Sequence, residues 1–286
     1  MREEQTKATT ERLIFHVDVN SAFLSWESVR RIKEGLPDLR DIPACIGGDP
    51  TKRTGIVVAK SIPAKKCGVQ TGEPVAMALR KCPNMVIVPS DFDLYVRCSR
   101  AFKKICAAYT PVMESFSIDE VFLDMTGTSL LYPDPIAAAH EIKDRIYEEL
   151  GFTVNIGIST NKLLAKMASD FEKPNKVHTL FPEEIPEKMW PLPVRELLFL
   201  GKASEKKLIE AGIRTIGDLA HAREADIQTL IGKKNGHQLY QYARRQGLAD
   251  CYHDYFFAGS HQHFFFKEFP DPKGDKGQGQ ITDKPH

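Results

Sequence analysis

The apolar positions of this chain fall into short β-branched runs separated by longer stretches with helical spacing. Residues 13–19 read as a buried strand. Asn20 or Ser21 then caps a helix through Phe23, Leu24, Trp26 and Val29 that stops at Gly35. Short strands follow at 44–46 and 56–59, split by the turn Gly47-Gly48-Asp49-Pro50. Pro63 opens a short basic helix that ends at Gly68, and 75–82 form a helix broken by Pro83. Residues 85–88 are a strand, and Asp91 caps a long helix to Tyr109. Two strands at about 112–116 and 120–124 turn at Ser117-Ile118-Asp119. A helix over 135–150, a strand over 153–158 and a helix over 161–171 complete the pattern.

Stripped of an insert after the first helix, this order fits an α+β fold, a ferredoxin-like sheet with antiparallel pairs whose next core strand is 85–88. The insert reads as a small α/β lobe. From Pro174 the texture changes: Pro182, Pro186, Pro191 and Pro193 mark a linker, and 194–247 are all-helical. Residues 1–12 read as a disordered leader. Residues 248–286, with their histidines, phenylalanines and Gly/Lys/Asp end, show no periodic core and read as a disordered tail.

Composition narrows the class only a little. A chain of 286 residues, 42% hydrophobic and 27% charged, has room for two or three ordinary globular domains. Its net charge of +1 gives no global sign of nucleic acid, although local patches count for more than the sum. Cys45, Cys67, Cys82, Cys98, Cys106 and Cys251 include no C-x-x-C pair, which argues against zinc and for reduced thiols in a cytoplasm. The polar start has no signal-peptide core, and no apolar run nears the ~20 residues that span a bilayer.

The chemistry is concentrated in two acidic stretches, 15–23 and 116–124. Asp18 and the pair Asp119-Glu120 each sit at the edge of a buried strand, where an uncompensated carboxylate is costly. If the strands pair, the three carboxylates converge, and hard oxygen ligands of this kind suit Mg²⁺. Two ions roughly 3.5–4 Å apart would then serve phosphoryl transfer, with the Val19 carbonyl as a further ligand. The competing reading is a set of unrelated turn acids. Phe23, at the start of the next helix, is either core or an aromatic under a sugar ring that excludes a ribose hydroxyl. Lys65, beside Lys66 in the insert, and Lys162, at a helix start, are either solvated or phosphate-seeking. The stretch 200–208 is either a plain αα-hairpin or a helix-hairpin-helix, in which Gly201, Lys202 and Ser204 would meet a DNA phosphate.

Asp18-Val19-Asn20-Ser21-Ala22-Phe23, Ser117-Ile118-Asp119-Glu120 and Gly157-Ile158-Ser159-Thr160-Asn161-Lys162-Leu163-Leu164-Ala165-Lys166 occur in this order, followed by Ser169-Asp170, Lys173-Pro174 and Thr215-Ile216-Gly217-Asp218-Leu219. Over about 13–243 the chain resembles the Y-family translesion DNA polymerases of the DNA polymerase IV / UmuC-like type. The resemblance implies a palm (13–20 and 89–173), fingers (21–88) and a helical thumb (174–247). It also implies two Mg²⁺ on Asp18, Val19, Asp119 and Glu120, a steric gate at Phe23, and triphosphate contacts from Lys162 and the fingers position Lys65. The implied partners are primer–template DNA and a dNTP, and the implied state is a cytoplasmic monomer.

Three features depart from the family. Ile62 and Lys65 stand where a Tyr and an Arg are common, and Asn20 where an Asp is common. The third is the stretch after Leu248, which is too short for the usual little-finger domain; Gln262-His263-Phe264-Phe265-Phe266 is a faint sliding-clamp motif there. The alternatives are therefore a truncated DNA-binding remnant with little activity and, more distantly, another two-metal palm enzyme such as a nucleotide cyclase.

Overall fold

The computed structural model describes residues 12–48 and 55–244. Of the expected turn at 47–50, Gly47 belongs to a strand and residues 49–50 lie outside the described residues, as do the leader before Arg12 and the tail with its aromatic cluster. Strand β1 (Ile14–Val19) is buried along its whole length and forms the centre of a five-stranded sheet. It pairs antiparallel with β6 (Glu120–Asp124) on one side and β7 (Val154–Ser159) on the other. Strand β5 (Met113–Ser115) extends the sheet beyond β6, giving the order β5-β6-β1-β7-β8. The first four strands are the expected ferredoxin-like set. The fifth, β8 (Val177–Thr179), was not foreseen and runs parallel to β7.

The sheet's two faces are distinct because side chains alternate along each strand. Phe15, Val17, Val19, Val121 and Leu123 join a core with Phe102 and Ile105 of α4 (Phe92–Cys106) and Ile142 and Ile146 of α5 (Pro135–Leu150). Each such fully buried side chain contributes about 1.5–3 kcal/mol of hydrophobic stabilisation. On the other face, Ile14 and Phe122 pack against Ala165 of α6 (Lys162–Ser169). Asp91, Asp134 and Asn161 cap α4, α5 and α6 by accepting backbone N–H bonds. Helix α1 (Ala22–Lys33) is different: Ser21 holds its N-cap position at φ 47° and makes no side-chain cap.

Gly157 sets the distance between β7 and α6. A Cβ there would stand 1.9 Å from the Ala165 carbonyl oxygen and 2.5 Å from the Ser169 nitrogen, both backbone atoms that cannot swing aside. Gly157→Ala should therefore cost about 3 kcal/mol or more and lower Tm by roughly 6–12 °C. A thermal melt matching the wild type would show that α6 does not lie this close.

The strand expected to continue the core sheet, β4 (Val86–Val88), belongs elsewhere. It pairs in parallel with β2 (Ala44–Gly47), which also pairs antiparallel with β3 (Val57–Lys60). The three form a second sheet in the order β3-β2-β4. Helices α2 (Ile62–Lys66) and α3 (Val75–Lys81) cover it through Cys45, Val57, Ala64, Val75, Ala78 and Met85. After β8, short 3₁₀ and π turns lead to four helices: α7 (Lys202–Glu210), α8 (Ile216–His221), α9 (Glu224–Ile231) and α10 (Lys233–Arg244). The Trp190 indole donates to the Ala243 carbonyl at 3.1 Å, which ties the linker to the last helix.

Candidate active site

The pairing of β1 with β6 brings the two acidic stretches together. Asp18 lies directly opposite Glu120, and the Val19 N–H donates to the Asp119 carbonyl at 3.0 Å. Asp18 is 7% exposed, while Asp119 and Glu120 are half-buried. Asp119 sits just ahead of the strand, and its carboxylate accepts the Ser117 hydroxyl at 2.5 Å.

Each carboxylate has a lysine for company, which no sequence reading assigned. The Lys173 ammonium donates to Asp18 at 2.7 Å and pairs with Asp170 at 2.8 Å. Lys166 donates to both oxygens of Glu120 at 2.9 Å. Lys103 donates to the Ser117 carbonyl at 2.6 Å and is drawn electrostatically to Asp119. Burial raises the Asp18 carboxyl to about 6, against the pull of Lys173. Burial also works against Glu120, but His16 and Lys166 outweigh it and hold that group near 2. Burial lowers the Lys103 ammonium to about 8, which Asp119 opposes. The fully buried His16 takes part through both ring nitrogens. Nδ1 lies 2.8 Å from the Ser169 hydroxyl, and Nε2 lies 3.5 Å from Glu120.

Two buried asparagines hold the Lys173 loop in place. Asn20 donates to the side chain of Asn155 at 3.1 Å and accepts the Asn175 N–H at 2.9 Å. Asn155 in turn donates to the carbonyls of Ser169 and Glu172 at 2.9 and 2.7 Å. An aspartate at position 20 could accept but could not donate to Asn155. This explains the amide at that position.

Among the described residues no three His, Cys, Asp or Glu side chains form a ready metal cluster. The carboxylates instead turn to separate partners. The donor set nonetheless fits Mg²⁺. It is all oxygen, and two of its members are already satisfied by positive charge within 3 Å.

The other expected residues are spread over the molecule. Phe23 is half-buried on α1, stacked on Tyr95 at 4.6 Å between ring centroids and edge-on to Trp26. Tyr95 is itself bonded to the buried Glu27 at 3.3 Å. Lys162 pairs with Glu114 across the sheet edge and lies 5.7 Å from the centre of the Phe122 ring. On α2 of the second sheet, Ile62 is 62% exposed and Lys65 is exposed. Gly201 is the N-cap of α7 and offers no side-chain cap to the first amides of the helix; Lys202 begins that helix. Gly201 and Ser204 line a cavity of about 220 Å³ with Phe199, Asn235, Gln238 and Leu239.

Known proteins match this arrangement. The impB/mucB/samB family model matches residues 17–170, a DNA polymerase-iota thumb-domain model matches 199–246, and an IMS family HHH motif model matches 182–213. A DNA polymerase IV of Clostridium acetobutylicum is 49% identical over 233 residues, covering 81% of this chain and 58% of that protein. DNA polymerase IV 1 of Bacillus subtilis is 42% identical over 221 residues, covering 77% of this chain and 52% of that protein. The chain thus spans a little over half the length of these relatives. Among solved structures, DinB from Sulfolobus solfataricus superposes with a TM-score of 0.73 at 26% identity, covering 82% of this chain and 67% of that one. An insertion ternary complex of Dbh DNA polymerase gives 0.72 at 27% identity with the same coverage. The opposed carboxylate strands, the two sheets and the helical hairpin region are therefore those of a family polymerase fold, and the match over 17–170 establishes that this chain belongs to the impB/mucB/samB family.

Proposed function

We propose that the chain carries out template-directed DNA synthesis of the translesion type, joining a dNTP to the 3′-hydroxyl of a primer. The observation that carries this reading is the register of β1 against β6, which sets Asp18 opposite Glu120 with Asp119 bonded through its carbonyl to Val19. In this reading Asp18, Asp119, Glu120 and the Val19 carbonyl hold two Mg²⁺. The ions, when bound, would acidify the primer hydroxyl and neutralise the triphosphate and leaving pyrophosphate. The protein's own part is to position. Lys166 and the Asn20–Asn155 clasp keep Glu120 and the Lys173 loop in place. Lys173, Lys162 and Lys65 supply positive charge for the triphosphate. Phe23, braced on Tyr95, screens the sugar.

The five-stranded sheet and its helices act as palm, the three-stranded sheet with α2 and α3 as fingers, and the helices after β8 as thumb. There the uncapped start of α7 offers Gly201, Lys202 and Ser204 to a DNA phosphate. No helix among the described residues is long and apolar enough to cross a membrane.

Primer extension by the purified chain tests this directly. Extension of a labelled primer on an undamaged template should require Mg²⁺, stop when a chelator is added and resume when Mg²⁺ is restored. A folded chain in excess over DNA that extends no primer at any Mg²⁺ concentration would refute the activity.

A further inference from the structure

The second sheet holds a feature that polymerisation does not use. Cys67 is the C-cap of α2 and Cys82 the C-cap of α3, so two helices that cover one sheet end on thiols. The ends are held side by side: Lys81 donates from its ammonium to the Gly68 carbonyl at 3.1 Å, joining the neighbours of the two cysteines. The Cys67 side chain lies near enough to Cys82 to act on its thiol. Their surroundings are unequal. Cys67 is exposed, whereas Cys82 is 5% exposed and packs in the same core as the fully buried Cys45. None of the five cysteines among the described residues is in a disulfide.

We propose that Cys67 and Cys82 are an oxidation site of the fingers, closing to a reversible disulfide in the presence of hydrogen peroxide. Exposure decides the order of events. The Cys67 thiolate attacks a peroxide oxygen and breaks the O–O bond, giving a sulfenic acid and hydroxide. The Cys82 thiol then gives up its proton, and its sulfur displaces the hydroxyl oxygen as water, forming the S–S bond. Two thiols together lose two hydrogens and two electrons, and the peroxide is reduced to two waters. Burial raises the Cys82 thiol, which suits a group that resolves a neighbour's sulfenic acid and does not meet the oxidant itself. The bond would fasten α2, with Ile62 and Lys65, to the end of α3. This inference is independent of the polymerase reading.

The test uses the full chain, reduced and then exposed to hydrogen peroxide. Remaining thiols are alkylated and the protein is digested without reductant. The expected result is one linked peptide pair holding Cys67 and Cys82, two hydrogens lighter than its reduced halves and separated again by dithiothreitol. Two of the six thiols should be lost to a thiol reagent. In Cys67→Ser, a change at an exposed position, the linked pair should vanish and Cys82 should stay a thiol. The proposal is overturned if Cys67 is oxidised to a sulfinic or sulfonic acid while Cys82 is untouched, if Cys67 links to a different cysteine, or if all six thiols survive peroxide.

Discussion

Asp119→Ala should slow primer extension about a thousandfold, the equivalent of about 4 kcal/mol of lost transition-state stabilisation, and leave DNA affinity within about twofold. The expectation of intact binding comes from how Asp119 is built in. Its structural work is done by the backbone: its carbonyl accepts the Val19 N–H at 3.0 Å, and alanine keeps that bond. Its carboxylate is half-buried and accepts the nearby Ser117 hydroxyl. Removing the carboxylate relieves negative charge at the site and takes a nearby charge from Lys103, which keeps its bond to the Ser117 carbonyl. Single-turnover extension measures the chemistry, and fluorescence anisotropy with a labelled primer–template measures the binding. If both fall together, Asp119 acts through the fold and the carboxylate is not a metal ligand.

Phe23→Ala should raise the ratio of ribonucleotide to deoxyribonucleotide incorporation by about a hundredfold, since steric exclusion is lost while deoxyribonucleotide contacts remain. Phe23 also belongs to a ring cluster, so the variant carries a structural cost. Stacking on Tyr95 adds about 0.5–1.5 kcal/mol beyond simple burial, and a half-buried ring gives up less than a buried one. The selectivity ratio separates the two roles, because a loss of stability lowers both rates and leaves the ratio fixed. Tyr95→Leu offers an inner comparison. It leaves Phe23 in place and removes its brace, and it should shift the ratio in the same direction by less. An unchanged ratio in Phe23→Ala would make Phe23 a core residue only.

Local signals made much of this molecule legible. β1, α5, β7 and α6 announce themselves by period, and α4 by the Asp91 cap, because these properties depend on near neighbours. The carboxylates could be read because a charge at the edge of a buried strand demands a reason. β8 could not. Val177-His178-Thr179 is three residues long and half-buried, and only its parallel partner makes it a strand. The apolar run of β4 was visible, but nothing in Val86-Ile87-Val88 says which of two sheets it joins. The lysines on Asp18 and Glu120 were hidden for a third reason. Lys173 and Lys166 lie 155 and 46 positions from their partners, and only the fold chooses between one long cation and another.

Those lysines bear on how the protein comes into being. In a zinc finger the ion supplies the folding energy, and the chain without it is unfolded. Here Lys173 and Lys166 already answer the charge of Asp18 and Glu120, so the sheet should fold without a cation from outside, and a melt in a chelating buffer checks it. A divalent ion bound there, as proposed, would meet an occupied seat. Its binding would be an exchange, in which a tethered ammonium is released as the ion is gained, and the triphosphate of the proposed substrate would be a natural place for that ammonium to go.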